Sequence, residues 1–190
     1  MCTSNKGWIA MAVISEIKEK VKLPDNVTVS IEKDIVTVKG EKGELSKTFS
    51  HPKISISLNG NIIEIKGKNV RKKGKALIGT FVAHINNMIK GTTQGFEYKM
   101  KTVFSHFPIK TSVDGNEFVI QNFLGERSAR RAKILEGVNV EVKGDDVTIQ
   151  GIDREQVGQT VANIERATRI KSRDIRVFQD GVYRISKGER

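Results

Sequence analysis

The second half of the chain is where the residues that can do specific chemistry gather. Residues 104–190 hold ten arginines and five lysines against 13 acids, whereas residues 1–103 hold 17 lysines and one arginine against nine acids. A guanidinium makes forked, partly desolvated contacts with phosphate, while an ammonium acts more as a hydrated point charge. Specific phosphate contacts are therefore expected in the second half. The formal charge of +11 suits a polyanionic partner such as nucleic acid.

Two stretches concentrate the signal. Arg166 to Arg190 carries eight cations and three acids, with Lys171, Arg173, Arg176 and Arg184 interleaved with Phe178, Gly181, Tyr183 and Gly188. Cations supply salt-dependent attraction, aromatics stack on exposed bases or riboses, and glycine admits close backbone approach. The plainer alternative is a solvated charged tail, with Phe178 and Tyr183 forming the core of a last strand. Arg127, Arg130 and Arg131, just after Asn122-Phe123-Leu124-Gly125-Glu126, form the second basic stretch. Within 173–178, Ile175 and Val177 are expected to anchor the backbone so that Arg173 and Arg176 point outward. A secondary phosphate seat is expected at Arg71, Lys72, Lys73 and Lys75, where the free amides and dipole of a helix start favour an anion; a solvated basic loop is the alternative.

Catalysis finds no footing. His51, His84 and His106 stand apart from any nucleophile at a recognisable spacing, and no phosphate-loop, dinucleotide or metalloprotease motif is present. Asp145-Asp146 pairs two carboxylates, but Gly144-Asp145-Asp146 is ordinary hairpin-turn chemistry. Cys2 is the one cysteine, so no intrachain disulfide forms, no zinc spacing exists and a reducing cytoplasm fits. No cofactor, metal or small-molecule substrate is expected. Gly7 to Ile14 is a short apolar run followed at once by charge, which argues against export, and no stretch approaches the roughly 20 apolar residues that span a bilayer.

The elements that must position these residues are written twice. Gly60, Ile63, Ile65 and Gly67 reappear 84 residues later as Gly144, Val147, Ile149 and Gly151. Gly79, Val82, Ala83 and Ile85 reappear as Gly158, Val161, Ala162 and Ile164, five residues out of step with that offset. Each copy reads as alternating strands followed by one helix whose apolar stripe recurs at i, i+3, i+4, i+7. The expected fold is α+β: two tandem similar domains, each a small mainly antiparallel sheet covered by one helix. The first helix starts at Arg71-Lys72-Lys73-Gly74-Lys75 and carries its apolar stripe from Leu77 to Ile89, with Gly91 as its stop; the second spans Arg154 to Thr168. Residues 1–13 are expected to be an arm, with Met11 as an alternative start, 14–102 the first domain and 103–190 the second. A strand running from Phe96 into Ser105 joins them, and Ser15 to Lys22 reads as a short helix because Ile17 and Val21 stand four apart.

Ordered motifs across most of the chain resemble one family. They are Leu23-Pro24-Asp25-Asn26-Val27, Val38-Lys39-Gly40 with Gly43, Asn87-Met88-Ile89-Lys90-Gly91 with Gly95-Phe96 and Tyr98-Lys99-Met100, His106-Phe107-Pro108-Ile109, Asn122-Phe123-Leu124-Gly125-Glu126, and Arg173-Asp174-Ile175-Arg176 with Phe178, Asp180-Gly181 and Tyr183. The chain is similar to the large-subunit ribosomal proteins of the L-six family, in the archaeal and eukaryotic branch. The resemblance implies a non-enzymatic part of the large ribosomal subunit, bound to large-subunit ribosomal RNA mainly through its second domain. It also implies a place near the sarcin-ricin loop and stalk base, with ribosomal proteins as neighbours and translational GTPases docking nearby. The absence of a long C-terminal tail favours an archaeal member. A free-standing regulatory RNA-binding protein is the alternative.

Overall fold

The computed structural model describes residues 14–70, 72–171 and 173–189. The expected arm, residues 1–13, and Arg71 lie outside them. The chain divides into two compact units: the described residues up to Val38 together with Ser46–Asn86, and Lys39–Leu45 with Asn87 onward.

In the first unit, strands β1 (Ile14–Lys22), β5 (Ile54–Asn59) and β6 (Ile62–Val70) form a sheet in the order β1-β6-β5, antiparallel throughout. A second sheet runs β2 (Thr28–Glu32), β3 (Ile35–Gly40), β4 (Gly43–Thr48), of which Lys39–Leu45 around the β3–β4 turn group with the other unit. The expected helix over Ser15 to Lys22 is thus a strand, with Val21 opposite Ile63 and Ile17 opposite Gly67. A four-residue spacing fits one face of a strand as well as one face of a helix, and pairing along the whole length of β6 decides between them. Helix α1 (Lys72–Thr93) buries Ile78, Phe81 and Ile85, and Phe49 meets Phe81 edge-on at 5.0 Å. The helix passes through Gly91 and ends before Gly95, which takes φ +75° and returns its N–H to the Lys90 carbonyl at 3.1 Å.

The second unit repeats the plan. Strand β7 (Phe96–Val103) lies between β12 (Asp146–Gly151) and β13 (Gly181–Glu189), and β11 (Val138–Lys143) completes a sheet ordered β11-β12-β7-β13. Strands β8 (Lys110–Asp114), β9 (Glu117–Gln121) and β10 (Arg130–Lys133) form the other sheet, in the order β10-β9-β8. Met100 faces Val147 as Val21 faces Ile63, so β7 is the counterpart of β1 and opens the second copy. The anticipated boundary between residues 102 and 103 accordingly falls near the end of a strand whose partners are both in the second unit. Asn59-Gly60 and Gly144 occupy equivalent hairpin turns, and both glycines take positive φ, +58° and +62°. Helix α2 (Arg154–Ala167) starts where the Asp153 side chain accepts the Glu155 N–H at 2.8 Å. It buries Val157, Val161 and Ile164 against a core that includes Met100, Phe118, Ile120, Phe123, Ile149 and Val182. The α+β class holds, with the strands of each unit divided between two sheets. Among the described residues no helix is long and apolar enough to cross a membrane.

Candidate nucleic-acid interface

The arginine-rich surface is built around the C-terminal end of α2. After β9 the chain makes a tight 3-10 turn, Phe123–Gly125, with Asn122, Leu124 and Gly125 all at positive φ. Two of these are not glycine, so the backbone there is held in an unfavourable conformation by its surroundings. The turn buries Phe123 completely and brings Glu126 to Arg130. Arg130 answers with a forked pair, Nε to Glu126 Oε2 at 2.8 Å and Nη2 to Oε1 at 2.6 Å, and its guanidinium lies 4.2 Å from the Phe123 ring centroid. Its Nη1 donates to the carbonyls of Ala167 and Arg169, at 2.9 and 3.1 Å. A cation at this end of a helix satisfies carbonyls that lack intrahelical donors and complements the dipole. The hydrogen bond from Arg130 holds the Glu126 carboxyl below its ordinary range; burial opposes the shift, and the charges of Arg130 and Arg173 add to it.

From α2 the chain enters the segment 173–180. Asp174 organises it: its carboxylate accepts the Arg176 N–H at 2.9 Å, and its carbonyl accepts those of Val177 and Phe178 at 3.2 and 3.0 Å. This is an Asx-type turn, rigid because one side chain serves the backbone beside it. Arg173 lies over the Phe178 ring at 4.9 Å. The far end is pinned where buried Asp180 accepts the Ser105 N–H at 2.9 Å and where Val182 donates to Thr168 Oγ1 at 3.3 Å. The acids nearest in sequence to Arg173 and Arg176 are therefore occupied with backbone amides. Among the described residues neither arginine forms an ion pair. Arg173 nonetheless acts through its charge on Glu126 and lies over Phe178, and both arginines stay exposed.

Arg127, Arg131, Lys171, Arg173, Arg176, Tyr183 and Arg184 are all exposed, and Phe178 is half-buried. Arg131 pairs with Glu117 at 3.0 Å on the open surface, where such a pair contributes about 0–1 kcal/mol. Arg130, Arg131, Arg166 and Lys171 line one depression of about 370 Å³. Gly181 is buried, and a Cβ there would lie 3.1 Å from the Tyr183 ring. Tyr183 in turn donates its hydroxyl to the Gln179 carbonyl at 3.1 Å. The last strand does form, but Val182 is its core residue, and Tyr183 remains 47% exposed.

The expected anchoring by Ile175 and Val177 is not what the structure shows: they are 69% and 71% exposed. Asp174, Asp180 and Thr168 hold the segment instead, through hydrogen bonds to backbone amides. Arg166 and Arg169, exposed beside these groups, were not among the expected contact residues. Their i, i+3 spacing at the end of a helix was the available signal. Lys72, Lys73 and Lys75 are exposed at the start of α1, whose first turn has no acidic residue. Among the described residues no group of His, Cys, Asp and Glu side chains is arranged to hold a metal ion.

The family model described as Ribosomal protein L6 matches residues 23–95 and 107–181, one stretch for each copy of the repeat. The chain is 52% identical over 177 residues to the large ribosomal subunit protein uL6 of Methanobrevibacter smithii, covering 93% of this chain and 99% of that protein. Proteins of the same name from Desulfurococcus amylolyticus and Methanothrix thermoacetophila are 48% and 47% identical, over 94% and 92% of this chain and 99% of each relative. Two matched copies and near-complete coverage of relatives from several archaea lead to one statement: the chain belongs to the ribosomal protein L6 family.

Proposed function

We propose that this chain is a structural constituent of the large ribosomal subunit, not an enzyme, and binds large-subunit ribosomal RNA mainly through its second unit. Its place is the cytoplasmic ribosome. The contacts assigned to RNA are Arg127, Arg131, Lys171, Arg173, Arg176, Phe178, Gly181, Tyr183 and Arg184, with Arg130 holding the surface in shape. Lys72, Lys73 and Lys75 add a diffuse attraction from the first unit. The family resemblance supports a position near the sarcin-ricin loop and stalk base, among ribosomal proteins and within reach of translational GTPases.

One observation carries this reading: Arg173 and Arg176 stand on a turn that Asp174 makes rigid, and that aspartate gives its carboxylate to a backbone amide. Pre-organised cations lose little entropy on binding phosphate. The test is Arg173→Ala with Arg176→Ala. Removing one phosphate-neutralising cation lowers the salt slope of log K by about 0.9 on duplex-like nucleic acid, so the pair should lower it by roughly two. The melting temperature should not change. An unchanged slope in a folded variant refutes the assignment. Failure of the same variant to co-sediment with the large subunit would tie these arginines to assembly.

A further inference from the structure

Beside the last turn of α2 lies a groove of about 750 Å³, within the roughly 300–1,000 Å³ of sites that take small ligands. Its walls include Ile175, Phe178, Val182 and Tyr183 on the apolar side, and Arg166 and Arg169 on the helix. Building on the RNA-binding reading above, we propose that this groove takes one unpaired nucleotide of the RNA, its base against Tyr183 and Ile175 and its flanking phosphates on Arg166 and Arg169.

The argument rests on what a paired helix cannot offer. In an A-form duplex the faces of the bases are stacked on one another, and only riboses, phosphates and base edges reach the protein. Arginines alone would suffice for those. Here an apolar floor lies between them, and it is held in place before any ligand arrives. Tyr183 is fixed by its bond to the Gln179 carbonyl and by its packing on Gly181, yet nearly half of it is open. Ile175 sits on the turn that Asp174 organises and is more than two-thirds exposed. Rigid aromatic and aliphatic surface flanked by cations is the arrangement that stacks a splayed base while tracking its backbone. An apolar peptide segment would meet the floor but not the two arginines. The one acid in the wall, Glu165, has its Oε1 turned to the Arg184 N–H at 3.4 Å, so it does not neutralise them by an ion pair.

The experiment uses the full chain and two RNA hairpins, one with a single-nucleotide bulge and one with an abasic nucleotide at the same bulge. The intact bulge should bind about tenfold tighter, the contribution of stacking one base. Ile175→Ser and Tyr183→Ala should each reduce that preference to about twofold or less without altering the salt slope, and Tyr183→Phe should keep it. Arg166→Gln with Arg169→Gln should lower the slope by roughly two for both hairpins alike. Ile175 is exposed, so its variant melts with the parent and decides the matter if Tyr183→Ala unfolds. Equal binding of intact and abasic hairpins, with salt dependence intact, overturns the proposal and leaves the RNA reading standing. If Ile175→Ser abolishes co-sedimentation with the large subunit while the base preference persists, a protein segment fills the groove and the proposal is wrong. Absence of any salt-dependent RNA binding overturns both.

Discussion

Replacing Arg130 should damage the fold more than it damages phosphate attraction. The side chain makes a forked pair with Glu126, two bonds to the carbonyls ending α2, and a cation–ring interaction with the buried Phe123. Hydrogen bonds to a charged group contribute about 1.5–3 kcal/mol each, and a cation over a ring about 0.5–2 kcal/mol. These do not add, because water replaces some of the bonds on the exposed side of Glu126, and a destabilisation of about 3 kcal/mol is expected for Arg130→Ala. In a chain of this size that corresponds to a fall in melting temperature of about 6–12 °C. Arg130→Lys, which keeps the charge but not the fork, should fall about half as far. Circular dichroism melts measure the change. Salt titrations of RNA binding, well below the melt, should show an unchanged slope in the double variant Glu126→Ala, Arg130→Ala, where the net charge is conserved. A melt within about 2 °C of the parent, combined with a slope reduced by about one, would show that Arg130 neutralises a phosphate and refute this account.

Three other outcomes are expected. Glu126 titrates below its ordinary value in the folded chain, so its ion pair stabilises at neutral pH, and that contribution is lost as pH falls below about 4.5. Melts taken from pH 6 down to pH 3 should show a smaller decline for Glu126→Gln than for the parent. Gly158→Ala should raise stability by about 0.5–1 kcal/mol, as read by urea unfolding, since nothing lies within 4 Å of the added Cβ and alanine is the better helix former. Gly91→Ala should lower it in the same assay by about 1–3 kcal/mol despite the same propensity gain, because the new Cβ would stand 2.1 Å from the Ile152 carbonyl oxygen.

The contrast between those glycines shows what was legible. Gly91 follows an apolar stripe and so looks like a helix stop; its real reason is the close approach of Ile152, which belongs to another stretch of chain. The repeat was readable because paired strands and an amphipathic helix leave periodic marks, and Ile63, Ile65, Val147 and Ile149 are completely buried. Strand β10 left no such mark, since Arg130–Lys133 buries only Ala132. At the candidate interface, clustering of arginine marked the region proposed to meet RNA. The division between Arg130, which is used up, and Arg173 and Arg176, which are not, depends on where Glu126 and Asp174 direct their oxygens. No spacing in the sequence encodes that.

The position of β7 between β12 and β13 sets an order of events during synthesis. One edge of β7 is paired by a strand made soon afterwards, but the other waits for Gly181–Glu189. At about 5–20 residues per second, the roughly 80 residues that separate β7 from its last partner take several seconds to emerge. Throughout that interval β7 presents an open edge, which is a template for unwanted strand addition. The segment with Arg173 and Arg176 is made immediately before β13, and its Ser105–Asp180 and Thr168–Val182 ties arrive with it. The turn that carries Arg173 and Arg176 is thus fixed by Asp180 and Val182 at the same step that closes the second edge of β7, so two features of the second unit depend on one late-made stretch of chain.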